Sequence, residues 1–169
     1  ISSLAGSWQV VSGNYYQCAD ATNILAKSDT LSISDHESVL RAKINSGAGN
    51  SVRLTFGIVD INNYWIWMID NVNLRLRRVN GGTEETKWQQ SISPSVGTWY
   101  ELKVQVDGST IDCYFDGALE HTETGASGLT GSVGVGAHRV VGDFDDIKVR
   151  KYVSPEPTTA VGAEQGGNV

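Results

Sequence analysis

From Val52 onward, apolar and polar residues alternate in short runs that arrive in pairs. Val52–Asp60 and Tyr64–Asp70 flank Ile61-Asn62-Asn63, and Trp99–Val106 and Thr110–Phe115 flank Asp107-Gly108-Ser109. Gly131–Ala137 and Asp143–Lys151 close the patterned part. Runs rich in Val, Ile, Tyr, Trp and Thr, bounded by Gly, Asn and Asp, predict antiparallel hairpins. Upstream, Trp8–Val11 and Tyr15–Ala19 pair around Ser12-Gly13-Asn14, a hairpin turn signal. Short strands are expected at Asn23–Ala26, Leu31–Ile33 and Ser38–Ile44, and Asn80-Gly81-Gly82 separates Leu74–Val79 from Thr86–Ile92. No window repeats apolar residues with the 3.6-residue period of an amphipathic helix. About a dozen strands exceed what one open sheet comfortably holds, so the pattern predicts two stacked antiparallel sheets, a β-sandwich.

The alternation also assigns faces, because successive side chains on a strand point to opposite sides. Leu54, Phe56 and Ile58 share one side with Trp65, Trp67, Ile69, Leu74 and Leu76, and this set reads as core. The other side carries Arg53, Thr55, Tyr64, Ile66, Met68, Arg75 and Arg77. That outer set is unlike an ordinary solvent face. It reads as an apolar patch rimmed by hydrogen-bond donors, suited to the CH face and hydroxyls of a sugar ring, unless a loop or another domain covers it. Arg53, Tyr64, Met68, Arg75 and Arg77 are the candidate ligand-binding residues, with Trp88 and Gln90 as extensions of the same face.

A chain of 169 residues can bury one full core. Residues 1–153 read as one β-sandwich domain. From Ser154 the composition shifts to Ser-Pro-Glu-Pro-Thr-Thr and then Gly-rich sequence, expected as a linker or a tail that docks on a neighbour. A net charge of −6 and a pI near 4.9 argue against nucleic acid and anionic membrane surfaces as partners. Arg75, Arg77 and Arg78 are too small a basic cluster to reverse that. No apolar run approaches the length of a bilayer span. A start at Ile1 with no apolar leader reads as a processed or excised form. Cys18 and Cys113 both fall in predicted strands. An oxidising setting would join them and a reducing one would leave two buried thiols; the disulfide is the expectation. His36, His121 and His138 read as ordinary surface histidines.

Several short motifs recur in a telling order. They are Asp60-x-Asn62-Asn63-Tyr64, Gly97-Thr98-Trp99-Tyr100-Glu101-Leu102-Lys103-Val104, Phe115-Asp116-Gly117, Gly131-Ser132-Val133-Gly134-Val135-Gly136 and Phe144-Asp145-Asp146-Ile147-Lys148-Val149. Together they resemble the concanavalin-A-like, laminin-G-like jelly-roll superfamily over Trp8 to Val153. The Arg150–Pro157 ending is similar to the close of such domains in prokaryotic surface proteins. The resemblance implies carbohydrate binding by a secreted or cell-surface protein. It also implies one structural calcium against the last strand, at Asp145 with Asp143 and Asp146 beside it; Asp20, with backbone carbonyls of the N-terminal segment, is the candidate for its other side. Three carboxylates in four positions repel unless a cation or hydrogen bonds offset them, and calcium takes six to eight oxygens.

Some members of that superfamily cleave glycosides, which usually takes two carboxylates about 5–10 Å apart on one face. Glu84-Glu85, Asp112 with Asp116, and Asp143-x-Asp145 are the only close sets considered, and none reads as a strand-borne acid/base pair. No nucleophile-elbow motif is present. The expectation is therefore a non-catalytic carbohydrate-binding module. The alternative is a structural subunit of a filament, adhesin or surface layer, self-assembling when Thr158–Val169 adds to a neighbour's sheet edge.

Overall fold

The computed structural model describes residues 2–5, 8–11, 15–18, 24–46 and 51–155. Its regular elements are all strands: β1 (Ser2–Ala5), β2 (Trp8–Val11), β3 (Tyr15–Cys18), β4 (Ile24–Lys27), β5 (His36–Ser46), β6 (Ser51–Asp60) and β7 (Asn63–Asp70), followed by β8 (Asn73–Asn80), β9 (Thr83–Ser91), β10 (Trp99–Asp107), β11 (Thr110–Phe115), β12 (Ala118–Glu123), β13 (Ser132–His138) and β14 (Val141–Lys151). They form two antiparallel sheets. Sheet A runs β1-β4-β13-β6-β7-β8-β9 and sheet B runs β12-β11-β10-β5-β14-β3-β2. This is the sandwich that the alternation predicts.

The inner faces meet in one core. Leu54, Phe56, Trp65, Trp67, Ile69, Leu74 and Leu76 of sheet A pack on Leu40, Ala42, Leu102, Val104, Ile111, Cys113 and Phe144 of sheet B. The two buried indoles also satisfy their N–H groups. Trp65 Nε1 donates to the Ser127 carbonyl at 3.0 Å and Trp67 Nε1 to the Tyr114 carbonyl at 2.8 Å. Hydrogen-bonding both removes the cost of an orphaned buried donor.

Four local expectations need correction. A strand absent from the sequence reading, β12, follows the Asp116-Gly117 turn at the edge of sheet B. Leu31–Ile33 is not a strand but a single bridge, Ile33 to Gly131. His36 is fully buried at the start of β5, its Nδ1 donating to the Ser34 carbonyl at 2.8 Å and its ring edge-on to Phe56. Cys18 and Cys113 cannot pair. Strands β3 and β11 stand four places apart in sheet B, about 19 Å at the usual spacing, whereas a disulfide needs Cα atoms within about 7 Å. Cys113 is a free, buried thiol whose pKa burial pushes well up.

One glycine sets the face pattern that follows. At Gly57, with φ of +57°, the pairing of β6 with β7 breaks register. A Cβ there would stand 2.7 Å from the Gly128 carbonyl oxygen. Leu54 and Phe56 lie in the main core, but Ile58, beyond the irregularity, is turned to the opposite side. The sequence reading kept Ile58 with Leu54 and Phe56, because strict alternation cannot register an irregular residue.

Candidate functional site

The outward side of sheet A is built row by row from the strand register. One row runs Leu25, Gly136, Arg53, Met68, Arg75 and Gln89 across β4, β13, β6, β7, β8 and β9. The row beside it toward the strand ends holds His138, Ser51 and Asp70. On the opposite side lie Thr55, Ile66, Arg77 and Thr86, then Tyr64, Val79 and Glu84. Gly134 and Gly136 of β13 face this side, so no side chain stands between β4 and β6 there.

The absence of those side chains lets apolar groups close over part of the face. Leu25, Ile58, Tyr64, Ile66, Met68 and Val79 form a second apolar cluster, with Leu4 packed beside it. Tyr64 is only 9% exposed and Met68 only 2%. The expected exposed aromatic platform is therefore absent, and Tyr64 is a packing residue here. Burial pushes its phenol pKa up, against the pull of nearby Arg53. Tyr64 lines instead a neighbouring cleft with Val59, Trp65 and Arg78, whose guanidinium lies 5.5 Å from the Trp65 ring centre.

Beside the cluster the same face opens into a pocket of about 220 Å³, lined by Ser51, Arg53, Met68, Asp70, Arg75, Arg77, Glu84 and His138. Four of the predicted ligand-binding residues thus come together: Arg53, Met68, Arg75 and Arg77. Asp70, Glu84, Ser51 and His138 were not anticipated, although the pairings His138–Ser51–Asp70 and Val79–Glu84 place them on the same side. Arg75 is ion-paired with Asp70, and its Nε donates to Gln89 Oε1 at 2.8 Å. Asp70 also accepts from the amides of Val72 and Asn73 at 2.9 and 2.7 Å, which fixes it at the hairpin turn. Arg77 meets Glu84 at 2.5 Å. Arg53, 5% exposed, donates from Nε to Ser51 Oγ at 2.9 Å. Among the described residues no carboxylate lies within ion-pair distance of it.

Trp88 and Gln90 do not extend this face. The β8–β9 register slips between Leu76 and Arg77, leaving Lys87 as an extra residue. Beyond that bulge the parity of β9 reverses, so Trp88 sits opposite Leu76 and Gln90 opposite Leu74, on the inner side. Trp88 packs 5.8 Å from Trp67 and stacks on His121 at 5.0 Å between ring centres. Gln89 takes the outward place that Gln90 was expected to hold.

The acidic group of β14 has cationic partners. Lys43 Nζ lies 2.7 Å from buried Asp143. Asp146 pairs with Arg41 at 3.3 Å and Lys148 at 3.5 Å, and these partners hold its carboxyl below the usual range. Asp145 Oδ1 accepts from the Asp146 amide at 2.8 Å. Among the described residues no group of three or more His, Cys, Asp or Glu is placed to hold a metal ion. Asp20, the expected calcium partner of Asp145 and Asp143, lies outside the described residues. In the described part of this cluster, lysine and arginine supply counter-charge to Asp143 and Asp146.

Residues 20–153 match the family model described as the concanavalin A-like lectin/glucanases superfamily. No curated protein matches by sequence. Among solved structures the chain is similar to the carbohydrate binding module CBM66 from Bacillus subtilis, with a TM-score of 0.81 at 18% identity over 89% of this chain and 94% of that one. It is similar to the Bacillus licheniformis beta-glucanase, with a TM-score of 0.62 at 10% identity over 86% and 82% of the two chains. Sheep galectin-11, in a complex with glycerol, gives 0.55 at 9% identity over 77% and 98%. At these identities the likeness establishes the jelly-roll fold.

Proposed function

The chain belongs to the concanavalin A-like lectin/glucanase superfamily, and from that premise we propose that it is a non-catalytic carbohydrate-binding module. Its ligand site is the arginine-lined pocket on the outward side of sheet A. One observation carries this reading: Arg53, Arg75 and Arg77 converge on one cavity beside Ser51 and His138, a dense set of donors at the border of the apolar cluster that holds Met68. Glycan sites combine such planar donors with an apolar surface. A volume of about 220 Å³ is below the ~300 Å³ at which drug-sized sites begin, and suits one sugar ring rather than a long stretch of chain.

The non-catalytic reading is supported by the engagement of the pocket's carboxylates. Glycoside cleavage needs one carboxylic acid to give a proton and a second carboxylate to act as base or nucleophile. Asp70 is tied to Arg75 and two backbone amides, and Glu84 is tied to Arg77. Neither is left to protonate a leaving group. The domain acts, in this reading, as part of a secreted or cell-surface protein that holds polysaccharide.

The test is a panel of soluble and insoluble polysaccharides, scored for retention and, separately, for released reducing ends. Retention without release is expected, and Arg75→Ala and Arg77→Ala should each weaken it. Release of reducing ends that Glu84→Gln abolishes would overturn the non-catalytic reading. Failure to retain any polysaccharide would overturn the binding reading.

A further inference from the structure

We propose that the sugar held in the sheet A pocket carries a carboxylate, so that the module recognises an acidic glycan built from uronate-type residues. The inference rests on the binding reading above and adds the chemical class of its ligand. It starts from the charges that meet in the cavity. Of the three arginines lining it, Arg75 is neutralised by Asp70 and Arg77 by Glu84. Arg53 is the third, and no described carboxylate pairs with it. Burial lowers the pKa of Arg53 from its ordinary value, with Glu84 pulling the other way, yet a guanidinium stays protonated at any physiological pH. His138 adds no offset: burial, and then Arg53 and Arg139, lower its pKa and favour the neutral ring.

A guanidinium removed from water without a counter-ion is costly to a fold. The outward face could have closed over an apolar residue at this position, as it does at Leu25 and Ile66. Instead it holds a cation that no described carboxylate pairs with, in a chain whose overall charge is −6. The orientation of the group is equally informative. Its Nε is occupied by Ser51 Oγ and, among the described residues, no hydrogen bond engages its two Nη groups, which leaves that edge for a ligand in the cavity Arg53 lines. That edge presents two donors in one plane, which matches the two oxygens of a carboxylate. The ring bearing the carboxylate would place its hydroxyls beside Arg75 and Arg77, which line the same cavity.

Polygalacturonate, alginate and polyglucuronate are the acidic probes; fully methyl-esterified polygalacturonate and neutral xylan, levan and β-glucan are the controls. The acidic polymers should be retained and the methyl ester should not, because esterification removes the charge and leaves the rest of the sugar. Retention should weaken as salt is raised from 50 to 500 mM. Arg53→Met should reduce retention of the acidic polymers at least tenfold while melting at or above the temperature of the parent. That melting behaviour is expected where an unpaired buried charge gives way to an apolar side chain of similar length. Arg53→Lys, which keeps the charge but not the two-donor edge, should fall between the two. Retention of the neutral polymers with the acidic ones excluded would overturn this inference and leave the binding reading standing. Equal retention of acidic polymers by parent and Arg53→Met would overturn it as well. Failure to retain any polymer in the panel would overturn both.

Discussion

The two sheets differ most on the sides turned away from each other. On sheet B that side is a lattice of cross-strand charge pairs. Glu37 accepts from Gln105 at 2.6 Å and Arg150 at 2.8 Å, Lys103 lies 3.9 Å from the Tyr114 ring centre, and Arg41 and Lys43 both lie over Trp99. Several of these groups are well exposed, with the side chains of Arg41 and Arg150 at 42% and 53%. On sheet A the middle of the corresponding side is buried around the pocket. Arg53, Thr55, Ile66, Met68 and Asp70 are all at or below 5% exposure. Exposed charge pairs cost little to keep and contribute little. Buried charge is expensive: sheet B's outward side buries Asp143 with Lys43 as its partner, whereas sheet A's buries Arg53 with no described carboxylate within ion-pair distance.

The largest expected effects come from the two sides of β7. Trp67→Ala, on the inner side, should destabilise by about 3–5 kcal/mol through the cavity left by the indole. Ile66→Ala, its neighbour on the outward side, should cost about 2–5 kcal/mol, as a core residue would. Val39→Ala, on the half-buried outward side of β5 in sheet B, should cost less than about 1 kcal/mol. Urea unfolding of the three variants checks the contrast. An Ile66→Ala variant as stable as Val39→Ala would mean that sheet A's outer face is not a second core.

Gly57→Ala is the next strongest perturbation. It adds a Cβ 2.7 Å from a carbonyl oxygen and forces an L-residue into a positive φ. A loss of about 1–3 kcal/mol is expected from the conformation alone. A melting point unchanged by the substitution would remove the irregularity at Gly57 as the device that turns Ile58 outward.

A smaller effect concerns pH. Burial holds the His36 pKa below its ordinary 6.5, against the Ser34 hydrogen bond and nearby Asp35, and its Nε2 has no hydrogen-bond partner. The unfolded chain therefore takes up a proton near pH 6.5 that the folded chain refuses. Stability is complete above that pH and falls as the pH drops through it. His138 acts in the same direction. Melting curves between pH 7.5 and 5.5 should shift downward, and His36→Gln should reduce the shift without abolishing it. An equal shift in parent and variant would assign the dependence to other groups.

The smallest effects belong to sheet B. Glu37→Gln should change stability by less than about 1 kcal/mol, since its partners lie near the surface. A chelator should leave the melting point unchanged if Lys43, Arg41 and Lys148 suffice to balance the β14 carboxylates. A drop of several degrees, lost in Asp145→Ala, would instead assign calcium there.

The inner faces were legible because Val52–Phe56 and Leu74–Leu76 alternate without a break, and hairpin parity carries that assignment to the all-apolar run Tyr64–Ile69, sorting Trp65 and Trp67 from Ile66. Legibility ended where strands break step. The bulge at Lys87 reversed Trp88 and Gln90, and the irregularity at Gly57 reversed Ile58. Strand order is not written locally either. The separation of Cys18 from Cys113 depends on β10, β5 and β14 lying between their strands. Burial of Tyr64 depends on Leu25, thirty-nine positions earlier in the chain and brought across Gly134 and Gly136. Strand β12 escaped because Ala118–Glu123 is an edge with little apolar alternation.

The extra residue at Lys87 bears on association as well. Strand β9 is the outer edge of sheet A, and unpaired backbone there would template the addition of another chain. The bulge interrupts that template midway, and Glu85 and Lys87 pair with each other at 2.8 Å along it. A second copy approaching edge to edge would have to desolvate that ion pair and could not keep an even ladder past the bulge.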